Sequence, residues 1–208
     1  MRTKTLFLAA AALAAGLASS QAQSNVYSVN IVGYINVPLT GGTEVLLANP
    51  LDNGTNDLYS IDNGALPNKS VVNVFNGTGF TVSTKGHGTW SVDPAIAPGI
   101  GFFVTPFSTT TLTFIGQAPI TNNYVLGTSE ALIGPLLPIA GALTDAGPNT
   151  LNLGGSLPNK SVINQFNGTG FTVSTKGHGT WSTPLTIPVA GGFFATPFSA
   201  TTWSQGLQ

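Results

Sequence analysis

Apolar and polar residues alternate along most of this chain. Val71, Asn73 and Phe75 fall on one side of an extended backbone, and Ser70, Val72 and Val74 on the other. Phe80, Val82 and Thr84 then alternate with Thr81, Ser83 and Lys85. A period of two is the mark of strands, whose successive side chains point to opposite faces. Thr, Val and Phe also suit a pleated surface. Asn76-Gly77 divides the two runs, and Lys85-Gly86-His87-Gly88 turns the chain again before Thr89-Trp90-Ser91. Gly and Asn accept positive φ at low cost, so both stretches predict hairpins, the first with an Asn-Gly turn or a longer, bulged one. The pattern predicts a meander of strands over about 70–75, 80–85 and 89–92, followed by strands at Gly101–Thr105 and Thr110–Ile115. Beyond the N-terminal leader, no stretch keeps a helical period.

The same pattern is then written a second time. Leu66–Ser91 and Leu157–Ser182 differ only at Val72/Ile163 and Val74/Gln165, and GFFVTPFSTTT at Gly101 returns as GFFATPFSATT at Gly192. Glu44-Val45-Leu46-Leu47 resembles Glu130-Ala131-Leu132-Ile133, with five more residues between that point and the LPNKS motif in the second copy. The expected fold is all-β: two tandem homologous antiparallel lobes, sandwich- or barrel-like, related by a pseudo-two-fold. Repeat one covers 23–116, with Tyr27–Val37 as its N-terminal strand, and repeat two covers 117–208. Adjacent strand residues face opposite ways, so the pairs Phe102-Phe103 and Phe193-Phe194 need cover on both sides. One Phe of each pair is expected to fill its own lobe and the other to meet the opposite lobe across the pseudo-two-fold.

Residues 1–22 read as a signal peptide. Arg2 and Lys4 precede an apolar, Ala-rich run from Leu6 to Leu17, and Ser20-Gln21-Ala22 supplies a small-residue cleavage site. The run is shorter than the roughly 20 residues that span a bilayer. An exported protein without membrane insertion is expected, extracellular or at the cell surface, with the periplasm as the alternative. The chain beyond residue 22 holds four Lys, no Arg and all seven carboxylates. That balance excludes a nucleic-acid binder, which needs clustered cations against phosphate. There is no Cys, so neither disulfides nor thiolate zinc sites arise, and no cofactor is implied.

Candidate chemistry is sparse. Hydrolysis by acid and base needs two placed carboxylates, or a carboxylate with a His. The copies share one acidic position, Glu44 with Glu130. His87 and His178 lie in Gly-flanked turns that would not fix a ring. A secreted hydrolase is thus the least favoured reading, and the chain is expected not to be an enzyme. Asp52 and Asp57 lie in an oxygen-rich loop of the kind that can hold calcium, but the spacing departs from the EF-hand pattern and Asp, Asn and Gly are ordinary turn formers. The repeated groups Lys85, His87, Trp90 and Lys176, His178, Trp181 admit two readings. Exposed Trp beside donors would make a sugar-binding face; alternatively Trp packs the meander while Lys and His solvate a hairpin tip.

Several segments resemble a large group of exported bacterial β-repeat proteins. They are Val29–Val37, Ala48-Asn49-Pro50-Leu51, Phe75–Phe80, Trp90-Ser91 and Pro98–Val104. The acidic residue or Gln common before the last Gly of the final motif is replaced here by Ile100 and Gly191. The resemblance implies export, duplication and β structure, and carries over no activity. A structural or adhesive role follows as the expectation, with a second copy of the chain or an extracellular polysaccharide as partner, and with Tyr27–Val37 as a strand to donate.

Overall fold

The computed structural model describes residues 31–118, 121–147 and 149–206. The leader 1–22 and the start of the Tyr27–Val37 strand lie outside them. The described chain is mostly antiparallel β, in two similar halves.

In the first half the strands are β1 (Ile31–Leu39), β2 (Val45–Ala48), β3 (Val71–Phe75), β4 (Phe80–Gly86), β5 (Thr89–Trp90), β6 (Gly101–Thr105) and β7 (Thr110–Ala118), with a one-turn helix α1 (Leu58–Asp62) after β2. Five strands form a sheet in the order β2-β6-β3-β4-β5, while β1 and β7 make a separate ribbon. The second half repeats this. Its ribbon is β8 (Thr121–Leu126) with β16 (Thr201–Gly206). Its sheet orders β9 (Ala131–Ile133), β15 (Phe193–Thr196), β11 (Val162–Phe166), β12 (Phe171–Gly177) and β13 (Thr180–Trp181). The longer second-copy loop adds β10 (Gly141–Ala142), paired with β14 (Thr186–Ile187), and a short helix α2 (Leu153–Ser156).

The alternation in the sequence sets each sheet's faces. Val72 and Val74 of β3 point inward with Phe102 and Val104 of β6, and Leu39, Leu112 and Phe114 of the ribbon close over them with Leu58 and Ile61 of α1. The second core is built alike, with Trp203 of β16 beside Phe193, ring centroids 5.8 Å apart. Each buried side chain of this size contributes roughly 1.5–3 kcal/mol. Ribbon and sheet thus form a two-layer lobe.

The two turns have different lengths. Phe75 pairs with Phe80, so Asn76–Gly79 is a four-residue loop in which Asn76 Oδ1 accepts from Thr78 N and Gly79 N. Gly86 pairs with Thr89, leaving His87-Gly88 as a two-residue loop with both φ positive, 53° and 82°. That is the mirror-image turn matched to strand twist. α1 was not foreseen from periodicity. It is a single turn closed by a capping box, with Asp57 accepting from Ser60 N while Asp57 N donates to Ser60 Oγ. The strand Tyr27–Val37, expected to be donated, is instead paired from residue 31 onward with β7 of its own chain.

The lobes join edge to edge. Leu47 bridges Gly191, and Ile133 bridges Ile100. Leu47 and Ile133 occupy equivalent places in the two copies, as do Ile100 and Gly191, so each bridge is the other turned about a two-fold axis. Ala48 N donates to Ala190 O at 2.9 Å, and its equivalent Gly134 N donates to Gly99 O at 3.0 Å.

Candidate functional site

Because β2 and β9 meet at the joint, the outer faces of the two sheets come together there. The outward residues of the first sheet include Leu46, Asn73, Phe75, Phe80 and Phe103, and their equivalents are Leu132, Asn164, Phe166, Phe171 and Phe194. Leu46, Phe103, Leu132 and Phe194 form a separate buried cluster, while Phe102 and Phe193 lie in the two lobe cores. Phe103 meets Phe166 edge-on at 5.3 Å and Phe194 at 6.4 Å between centroids, and Phe75 meets Phe194 at 5.6 Å. These are the tilted and edge-on geometries that aromatic quadrupoles favour.

Above this cluster lies a groove of about 520 Å³. Phe80 and Phe171, 43% and 45% exposed, stand on its walls with Val173. Its polar lining comes in equivalent pairs, Glu44 with Glu130 and Asn73 with Asn164. Each Glu immediately precedes the first residue of its edge strand, β2 or β9. Asn164 Nδ2 reaches Glu130 Oε1 at 3.5 Å, too long for a strong bond. The single acidic position shared by both copies has become a pair of carboxylates on one cavity. A lone-copy reading misses this, because only the two-fold axis brings the positions together. The outward large apolar residues Phe75 and Phe80 were the sequence signal available.

The structure places Lys85 and Trp90 inside the first lobe, each 6% exposed. Lys85 Nζ donates to Asp62 Oδ2 at 2.5 Å and to Leu66 O at 2.8 Å, and Trp90 Nε1 donates to Asp62 Oδ2 at 3.0 Å. Lys176 is equally buried and Trp181 partly so. Of these six side chains only His87 and His178 stand exposed, with Trp90 buried and Trp181 half-buried. Inward-facing register decides this: Lys85 follows Ser83 on the buried side of β4.

Asp52 and Asp57 are likewise occupied. Asp52 Oδ1 accepts from Asn56 Nδ2 and Gly54 N, and these bonds, the Asn56 amide first, hold its carboxyl below the usual value. Asp57 caps α1. Among the described residues no group of three or more His, Asp or Glu is placed to hold a metal. A second cavity of about 640 Å³ lies between this loop and the ribbon, lined by Val32, Asp52, Asn53, Ser60 and Ile115 among others.

Compared with known proteins, the chain matches no family model, no curated protein and no solved structure.

Proposed function

We propose that this chain is an exported, non-catalytic binding protein with a structural or adhesive role at the cell surface or in the extracellular matrix, and that it holds an extracellular polysaccharide in the groove between its lobes. The observation that carries this reading is the paired lining: exposed Phe80 and Phe171 with Glu44, Glu130, Asn73 and Asn164 around one cavity. Aromatic rings stack on the C–H faces of sugars while carboxylates and amides take hydroxyls. The sugar reading moves from the hairpin tips to this groove. Export rests on the leader in the sequence.

Binding is favoured over hydrolysis by symmetry. Acid–base cleavage needs two carboxylates in different surroundings, one to give a proton and one to take it. Glu44 and Glu130 stand in equivalent positions among the same residue types. The test is retention of the full secreted chain on insoluble polysaccharides, followed by release of reducing ends. Wild type is expected to be retained without releasing ends, and the double variant Phe80→Ser, Phe171→Ser to pass through with unchanged circular dichroism. Failure of wild type to bind any polysaccharide, or turnover lost on Glu44→Gln, overturns the reading.

A second reading, self-association, draws on the outward face of the β1–β7 ribbon, where Val32, Tyr34 and Ile115 are exposed. Sedimentation equilibrium checks it: a strict monomer at high concentration removes it.

A further inference from the structure

The charge inventory of the molecule narrows the ligand. Five of the seven carboxylates accept hydrogen bonds within the chain. Asp52 and Asp57 take backbone N–H groups of their own loops, Asp93 takes Tyr59 N, Asp145 takes Ala142 N, and Asp62 takes Lys85, Trp90 and Leu66 N. The two that remain are Glu44 and Glu130, the latter with only the long contact from Asn164 Nδ2 at 3.5 Å. The four lysines among the described residues are committed as well. Lys69 and Lys160 lie over the rings of Phe107 and Phe198, at 4.9 and 4.7 Å. Lys85 is paired with Asp62, and Lys176 donates to Gly154 O and Leu157 O. No cation lines the groove. Two carboxylates therefore face an apolar, Phe-floored cavity with no positive partner in the described chain.

We propose that the groove takes an oligosaccharide bearing free amino groups, with ammonium groups on Glu44 and Glu130 and sugar faces on Phe80 and Phe171. This rests on the polysaccharide reading above and deepens it. A cation beside these rings gains twice, from the carboxylate and from the negative ring face. The backbone argues against a peptide. The β2 and β9 edges are already bonded to the opposite lobe, through Ala48 N to Ala190 O and Gly134 N to Gly99 O. These two bonded edges are closed to strand addition, which supplies affinity through main-chain bonds. Recognition falls to side chains, as it does for sugars. A polymer whose successive rings flip over also presents alike faces to the two walls of a pseudo-two-fold site.

The test is titration calorimetry on the full secreted chain with three probes: a β-1,4-linked glucosamine oligomer, its N-acetylated form of equal length, and a linear α,ω-diamine. The free-amine oligomer is expected to bind best, with affinity falling as salt rises. Glu44→Gln and Glu130→Gln are each expected to weaken it roughly three- to fivefold, the range of an exposed charge pair, while leaving the N-acetylated oligomer unchanged. Equal binding of the free-amine and N-acetylated oligomers overturns this inference and leaves the polysaccharide reading standing. Diamine binding as tight as the amino-sugar oligomer shows that no sugar face is used and overturns both, as does binding of none of the three.

Discussion

The duplication supplies an internal control at the scale of single residues. Asp62, four positions before Leu66, is matched by Leu153, four before Leu157. The donors in both copies are the same, but only the first has the carboxylate. Where Leu66 N donates to Asp62 Oδ1, Leu157 N donates to Leu153 O. Where Trp90 Nε1 donates to Asp62, the buried Trp181 Nε1 has no partner. Buried ions are costly to leave unpaired, and removing one member of a buried pair typically costs about 3–5 kcal/mol. Asp62→Ala should therefore destabilise the chain by an amount in that range, leaving Lys85 uncompensated. Lys176→Met should cost much less, since it deletes a buried cation that has no counter-charge. Urea denaturation of the two variants measures the difference, and equal losses would show that Asp62 does not hold Lys85 in place.

At the scale of elements, the hairpins were legible because each part of their chemistry is local. Alternation fixed the faces of β3 and β4, and Gly-rich turns fixed their ends. The mirror-image turn at His87-Gly88 gives a direct check, because it puts a non-glycine residue at φ 53°. The left-handed region is strained for L-residues and most of all for β-branched ones. His87→Val is expected to lower stability by about 1–2 kcal/mol, and His87→Asn to be tolerated, both read from thermal melting. The one-turn helix and the groove were not legible. α1 is a single turn, too short to show a period, and is announced only by Asp57 and Ser60 of its cap. The groove was hidden for a different reason. Its residues appear in the sequence as isolated outward positions on separate strands, and Glu44 looks solitary until a second sheet brings Glu130 to the same cavity. The burial of Lys85 was hidden as well: the alternation sets it with Thr81 and Ser83, opposite Phe80 and Val82, and the Asp62 that receives it lies 23 residues away, outside the near-identical stretch Leu66–Ser91.

At the scale of the molecule, a joint built on a two-fold axis forces equivalent residues close together, and the copies cannot both be large there. Ala48 and Gly134 are the equivalent pair at the axis, and a Cβ added to Gly134 would overlap the Ala48 methyl. One methyl fits and two do not. This explains why the copies diverge here within otherwise similar edge strands. The same contact carries the bonds from Ala48 N to Ala190 O and from Gly134 N to Gly99 O, so pushing the strands apart would weaken both. Gly134→Ala is expected to cost about 1–3 kcal/mol, the usual penalty of overpacking a filled site. If the axis is the cause, Ala48→Gly in the same chain should restore part of that loss, because it removes the methyl overlap and leaves only the close approach of the new Cβ to Gly191 O. The double-mutant cycle should then show a coupling of about 0.5–3 kcal/mol, measured by chemical denaturation. Additive losses would mean that the two positions do not meet, and the floor formed by Phe103 and Phe194 would need another support.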